Sequence, residues 1–153
     1  MNLLTIDTLA IDTKTNDIVI LLETVEHEVL PIWIGNMEAL AIAMKLSNRT
    51  SRRPMTHDLT ATMLLGLNTK LTRVVITSLV DSIYYALLYL QKGDELIVID
   101  ARPSDSIALA LRMDAPIFAS EEIPLISADE SNEQRRRLDE RLRRIEPEGF
   151  LGE

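Results

Sequence analysis

Two short polar stretches hold the residues best suited to chemistry. The denser is Asp100-Ala-Arg-Pro-Ser-Asp105, at a predicted strand-to-helix junction. Exposed helical N–H groups and the helix dipole draw anions to such a place, and Arg102 can grip a phosphate by two parallel hydrogen bonds. Asp100 and Asp105 alternatively offer the carboxylate oxygens that a divalent cation such as magnesium prefers. A purely structural reading has Asp105 complementing the dipole, Ser104 capping and Arg102 pairing with Asp100. Arg52-Arg-Pro-Met-Thr-His-Asp58 repeats the design, with an Arg-Pro entry into a helix, then a hydroxyl and an acid. His57 is the group in this part of the chain suited to general acid or base work at neutral pH, and Arg49, Arg52 and Arg53 form a basic island. The plainer reading makes Thr56 an N-cap, Asp58 a dipole partner and His57 a solvated first-turn residue.

These stretches are carried by an alternation of strands and helices. Leu3–Ile11, Ile18–Leu22 and Val29–Ile34 read as strands, the third an edge or bulged strand because Pro31 lacks a ladder donor. Glu38–Leu46 reads as a largely buried helix, and Thr56 to about Leu67 as a second. Leu71–Val80 and Ile83–Gln91 are strands joined at Asp81-Ser82, a two-residue turn without the usual glycine. Glu95–Asp100 is another strand, and Pro103 opens a helix through Met113. Ile117–Ala119 is a short strand. A last helix over about residues 132–145 has Leu138, Leu142 and Ile145 as its apolar stripe. The expected fold is thus α/β in the α+β sense, with a mixed or antiparallel sheet of six to seven strands and three to four helices. No segment reads as an interdomain linker, so residues 1–153 are expected to form one domain.

Sliding the sequence along itself by 67 residues sets Glu38–Leu46 against Asp105–Met113, matching acid, small, aliphatic and basic positions in kind. Either buried alanine-rich helices converge on this pattern, or the chain holds two β-β-β-α halves with Glu38 and Asp105 at equivalent helix starts.

The chain has 153 residues, 46% of them apolar, which is ordinary for a folded domain. Sixteen basic against 24 acidic residues give a net charge of −8, and the pI is near 4.8. That balance argues against tight, sequence-blind wrapping of duplex nucleic acid. It leaves room for a small local phosphate site of weak affinity. The absence of cysteine removes disulfides, thiol nucleophiles and thiolate zinc sites. Asp7 interrupts any secretory apolar core, and no charge-free run approaches a membrane span. A soluble, cytoplasmic protein with no membrane attachment is expected. Trp33 and the tyrosines Tyr84, Tyr85 and Tyr89 fit packing better than base stacking. The arginine-rich run from Arg135 to Arg144 alternates with acids as a solvated helix face does.

Taken together, Trp33-Ile-Gly-Asn-Met-Glu-Ala39, Arg53-Pro-Met-Thr-His-Asp-Leu59 and Ile99-Asp-Ala-Arg-Pro-Ser-Asp-Ser-Ile-Ala-Leu-Ala110 resemble the bifunctional nuclease (BFN) domain family in order and spacing. The closing Pro-Glu-Gly-Phe fits as well, with Gly149 where the family pattern has an acid. The resemblance implies an α/β domain of its own type, a homo-oligomer (dimer or larger), and nucleic acid, both RNA and DNA, as substrate, which the acidic charge balance expects to be weakly bound. Positions carried over as candidates for the chemistry are Glu38, His57, Asp58, Asp100 and Asp105, with Arg52, Arg53 and Arg102 for substrate binding. Carboxylates, alone or through a divalent metal, would activate a water, Arg53 and Arg102 would steady the phosphorane-like oxygens, and His57 would protonate the leaving oxygen. The alternatives are a non-enzymatic oligomeric binding or regulatory module, whose motif residues only cap helices and form an interface, and a binder of small phosphate-containing molecules.

Overall fold

A computed structural model describes residues 1–151. Its eight strands form one mixed sheet: β1 (Asn2–Asp12), β2 (Ile18–Glu23), β3 (Val29–Ile34), β4 (Lys70–Val80), β5 (Ile83–Lys92), β6 (Glu95–Ala101), β7 (Ile117–Ala119) and β8 (Leu142–Ile145). Along the sheet the order is β3-β2-β1-β7-β4-β5-β6, and β8 pairs with β1. The five helices are α1 (Asn36–Leu46), α2 (Thr56–Gly66), α3 (Pro103–Met113), α4 (Glu133–Arg141) and α5 (Pro147–Phe150).

The 67-residue offset runs through the whole first part of the architecture. It carries α1 onto α3 end to end, and β1, β2 and β3 onto β4, β5 and β6 within two residues. Each set is an antiparallel meander followed by its helix. Between them lies β7, antiparallel to β1 and parallel to β4, so β1 and β4 run in opposite senses. An approximate twofold axis near β7, normal to the sheet, accounts for the opposed senses of the two meanders. Both halves thus have the same strand order and the same helix placement, as the two-halves reading requires.

Local chemistry explains the connections. Asp81 and Ser82 both adopt left-handed backbone, with φ of 51° and 66°, the primed turn that matches strand twist even without glycine. Pro31 lies on edge strand β3, where its missing N–H disturbs no central ladder. The core lies between the sheet and α1 and α3, with Leu9, Ile20, Leu22, Ile42, Ile76 and Ile107 fully buried.

Three expectations are corrected. The last helix begins at Glu133, capped by the Asn132 side chain, and ends at Arg141. Leu142–Ile145 instead pairs antiparallel with β1, from Leu9↔Ile145 to Asp12↔Leu142, which adds an eighth strand, and the short α5 adds a fifth helix. Helix α2 is capped one residue earlier than expected, at Met55, whose N–H donates to Asp58 Oδ2 at 3.0 Å. Ser104 is not a cap: it lies buried inside α3, and Arg102 occupies the N-cap position.

Candidate active site

Helices α1, α2 and α3 start close together, and their first turns deliver the cluster. Glu38 stands in the first turn of α1 and Asp105 in the first turn of α3, the pair that the 67-residue offset relates. Arg102, the N-cap of α3, bridges them. Its Nη2 donates to Glu38 Oε1 at 2.8 Å, its Nε to Asp105 Oδ2 at 2.9 Å, and its Nη2 again to Asp105 Oδ1 at 3.2 Å. The position equivalent to Arg102 in the first half is Gly35. A Cβ there would fall 2.4 Å from Glu38 Oε2, so glycine lets the Glu38 carboxylate fold back over the helix start. One guanidinium therefore serves the acids of both halves.

From α2, His57 completes the cluster, with Nε2 2.8 Å from Asp105 Oδ1. An ionised carboxylate only accepts, so this contact puts the imidazole proton on Nε2 and leaves Nδ1 as the acceptor nitrogen. Burial pushes the Asp105 carboxyl up, but hydrogen bonds from Arg102 and His57 outweigh it and hold it below the usual aspartate value. Asp105 and Glu38 together hold the Arg102 guanidinium in its charged form. These four side chains line an open cleft of about 470 Å³ with Met37, Met55 and Thr56. The Arg102 side chain is 63% exposed, against 14% for His57 and 17% for Glu38, so the guanidinium is the group most open to solvent.

The remaining candidates stand apart from the cleft. Asp58 belongs to a different set of bonds: Arg112 Nε donates to its Oδ1 at 2.7 Å, while the Arg112 Nη atoms donate to the carbonyls of Ala108 and Ala41. That hydrogen bond, foremost, holds the Asp58 carboxyl low against the opposing effect of burial. Asp100 is exposed on β6, and Arg52 and Arg53 are exposed just ahead of α2; none of the three lines the cleft. A metal does not fit the donors as arranged, because both Asp105 oxygens and Glu38 Oε1 already accept from cationic or imidazole nitrogens. Among the described residues, no group of three or more His, Asp or Glu side chains is placed to hold an ion.

Sequence reasoning missed two polar centres. Arg112 ties α1, α2 and α3 together, and its only sequence signal is a base at the end of a buried helix. Asp12 is wholly inaccessible beneath Trp33 and Arg141, which donate to its Oδ2 at 2.9 and 2.7 Å. Those donors hold its carboxyl well below the ordinary range, against its burial.

The two low carboxyls of this region predict an acid limit to stability. Asp58 and Asp105 ionise more readily folded than at the free value of 3.8, so acidification protonates the unfolded chain first. Their contribution is complete above that value and is lost as pH falls through the folded one. Urea midpoints are expected to hold steady down to about pH 5 and to drop below about pH 4; a midpoint that stays level to pH 3 contradicts this.

An α+β domain with a His–Asp pair and an arginine at converging helix starts is a class of architecture compatible with acid–base work on an anionic substrate. Residues 19–131 match the family model described as "Bifunctional nuclease domain", and the chain belongs to that family. It is 37% identical over 125 residues to an uncharacterized protein of Mycobacterium tuberculosis, covering 79% of this chain and 74% of the relative. It is 30% identical over 109 residues to Bifunctional nuclease 1 of Oryza sativa subsp. indica, 69% of this chain and 33% of the relative. Bifunctional nuclease 2 of Arabidopsis thaliana is 34% identical over 93 residues, 58% of this chain and 28% of the relative. Among the described residues no helix is long and apolar enough to cross a membrane.

Proposed function

We propose that this protein hydrolyses phosphodiester bonds of RNA and DNA strands in the His57 cleft, with little sequence preference. The observation that carries this reading is the 2.8 Å contact of His57 Nε2 with Asp105 Oδ1, beside an exposed arginine in an open cleft. Asp105 orients the ring, and Nδ1 takes the proton of the attacking oxygen, a water or an RNA 2′-hydroxyl. As the new P–O bond forms and the old one breaks, the imidazolium returns that proton to the leaving oxygen. Arg102 leaves Glu38 for the phosphate and steadies the charge on its oxygens. The two acids already on Arg102 make phosphate compete for it, which keeps binding weak. In this reading the whole chain works as one cytoplasmic domain, and the arginines Arg52 and Arg53 ahead of α2 meet the strand outside the cleft.

Purified Arg102→Ala protein is expected to cleave single-stranded RNA and DNA oligonucleotides at least about a hundredfold more slowly than wild type. Unchanged cleavage would remove the arginine from the chemistry.

A second reading is favoured by apolar exposure. Leu96, Val98 and Ile99 on β6 and Leu59, Met63, Leu65 and Leu67 around α2 all stand in solvent. Surfaces of this kind belong to assemblies, so a homo-oligomer that binds without cleaving uses the same fold. Oligonucleotide binding by a wild-type protein that leaves the strand intact would decide for it.

A further inference from the structure

We infer that the His57 cleft continues into a binding track for single-stranded nucleic acid, on which Trp33 and Tyr84 carry a base and Arg137 and Arg141 meet its phosphates. This rests on the phosphodiester reading of the cleft. Three recesses share walls in series. Arg102 lines both the cleft and a neighbouring cavity of 320 Å³, and Trp33 and Tyr84 line both that cavity and a third of 360 Å³. Arg137 and Arg141, on one face of α4, form the far wall of the third.

The far recess is prearranged. Trp33 leaves 41% of its surface exposed although its indole N–H is committed to Asp12, so the ring is fixed in orientation yet open to contact. The Arg141 guanidinium, anchored on the same buried carboxylate, stands 5.6 Å from the ring centroid. Arg137 pairs with Glu133 at 2.7 Å, but both side chains are exposed, and such pairs open at little cost. Residues 133–145 carry six arginines against three acids, a local reversal of the chain's net charge of −8. Aromatic faces beside cations suit unstacked bases of any identity, which selects a single strand over a duplex.

Trp33 is the only tryptophan and reports on its own site. Titration of His57→Gln protein, in which cleavage is expected to be slow on the timescale of the measurement, compares a DNA hexanucleotide with an abasic strand of equal length at low salt. The hexanucleotide is expected to quench Trp33 emission and the abasic strand is not. Arg137→Ala on that background should weaken hexanucleotide binding about threefold or more and flatten its salt dependence by about one charge. Emission that stays constant at every hexanucleotide concentration overturns the track, and so does equal quenching by the abasic strand. Neither result touches the cleft reading, which stands or falls on cleavage by wild type. Quenching in a protein whose wild type cleaves nothing keeps the track and removes the hydrolysis.

Discussion

His57→Gln protein is expected to cleave RNA and DNA oligonucleotides about a hundred to ten thousand times more slowly than wild type, with KM little changed. The range is what a positioned general acid–base group contributes. Glutamine can still donate an N–H to Asp105, so the carboxylate keeps a partner and the Arg102 bridge to Glu38 is undisturbed. What it cannot do is take a proton from an attacking oxygen and return it to the leaving one. The loss therefore belongs in kcat. His57 is only 14% exposed, but glutamine keeps most of its volume and its bond to Asp105, so circular dichroism and the melting temperature should stay near wild type. Retained cleavage in a folded His57→Gln protein would show that the proton moves elsewhere.

The second large effect falls on stability and lies just outside the cleft. Arg112 is 7% exposed and gives one donor each to Asp58, to the Ala108 carbonyl on its own helix and to the Ala41 carbonyl on α1. Alanine at 112 leaves a carboxylate and two helix carbonyls short of their donor in a largely enclosed place. Losses of this type run to about 2–4 kcal/mol, a large part of the stability of a single domain. At this chain length that corresponds to a fall in Tm of about 5–15 °C. Arg112→Lys should recover only part of it, because a single ammonium on a flexible stem does not reproduce the planar fork that reaches three acceptors. A melting temperature unchanged in Arg112→Ala would mean that the helix starts are positioned by apolar packing alone.

The sequence carries much of this fold, unevenly. The limits of α3 are readable because Pro103 suits the first turn of a helix and Asp114-Ala-Pro116 breaks one, and the structure closes α3 with Asp114 in the left-handed conformation. The offset between Glu38 and Asp105 makes the two halves readable as well. Strand β8 is not, since Leu138, Leu142 and Ile145 keep helical spacing. What overrides that local pattern is the free edge of β1 at residues 9–12, 130 to 136 positions away in the chain. The site follows the same division. Glu38, His57, Arg102 and Asp105 stand in recognisable motifs, yet their convergence depends on contacts spanning 48 and 64 residues. Asp58 has the same local credentials as Asp105, a first-turn acid behind an Arg-Pro. Only the partner supplied by the facing helix separates them: Arg112 of α3 engages Asp58, while His57 of α2 engages Asp105. Asp12 reads as a turn residue, and its burial is set by Trp33 and by Arg141 at the other end of the chain.

The proposed reaction has Asp105 orient His57 for phosphodiester cleavage. Its most direct test is the initial rate of oligonucleotide cleavage by Asp105→Asn protein beside wild type prepared identically. An asparagine amide can donate to Nε2, which favours the opposite imidazole tautomer, and it forfeits the charge that holds Arg102. The expected result is a loss of about a hundredfold or more in kcat, with the fold intact by circular dichroism. Equal rates in the two proteins, or no cleavage by wild type, would contradict the claim.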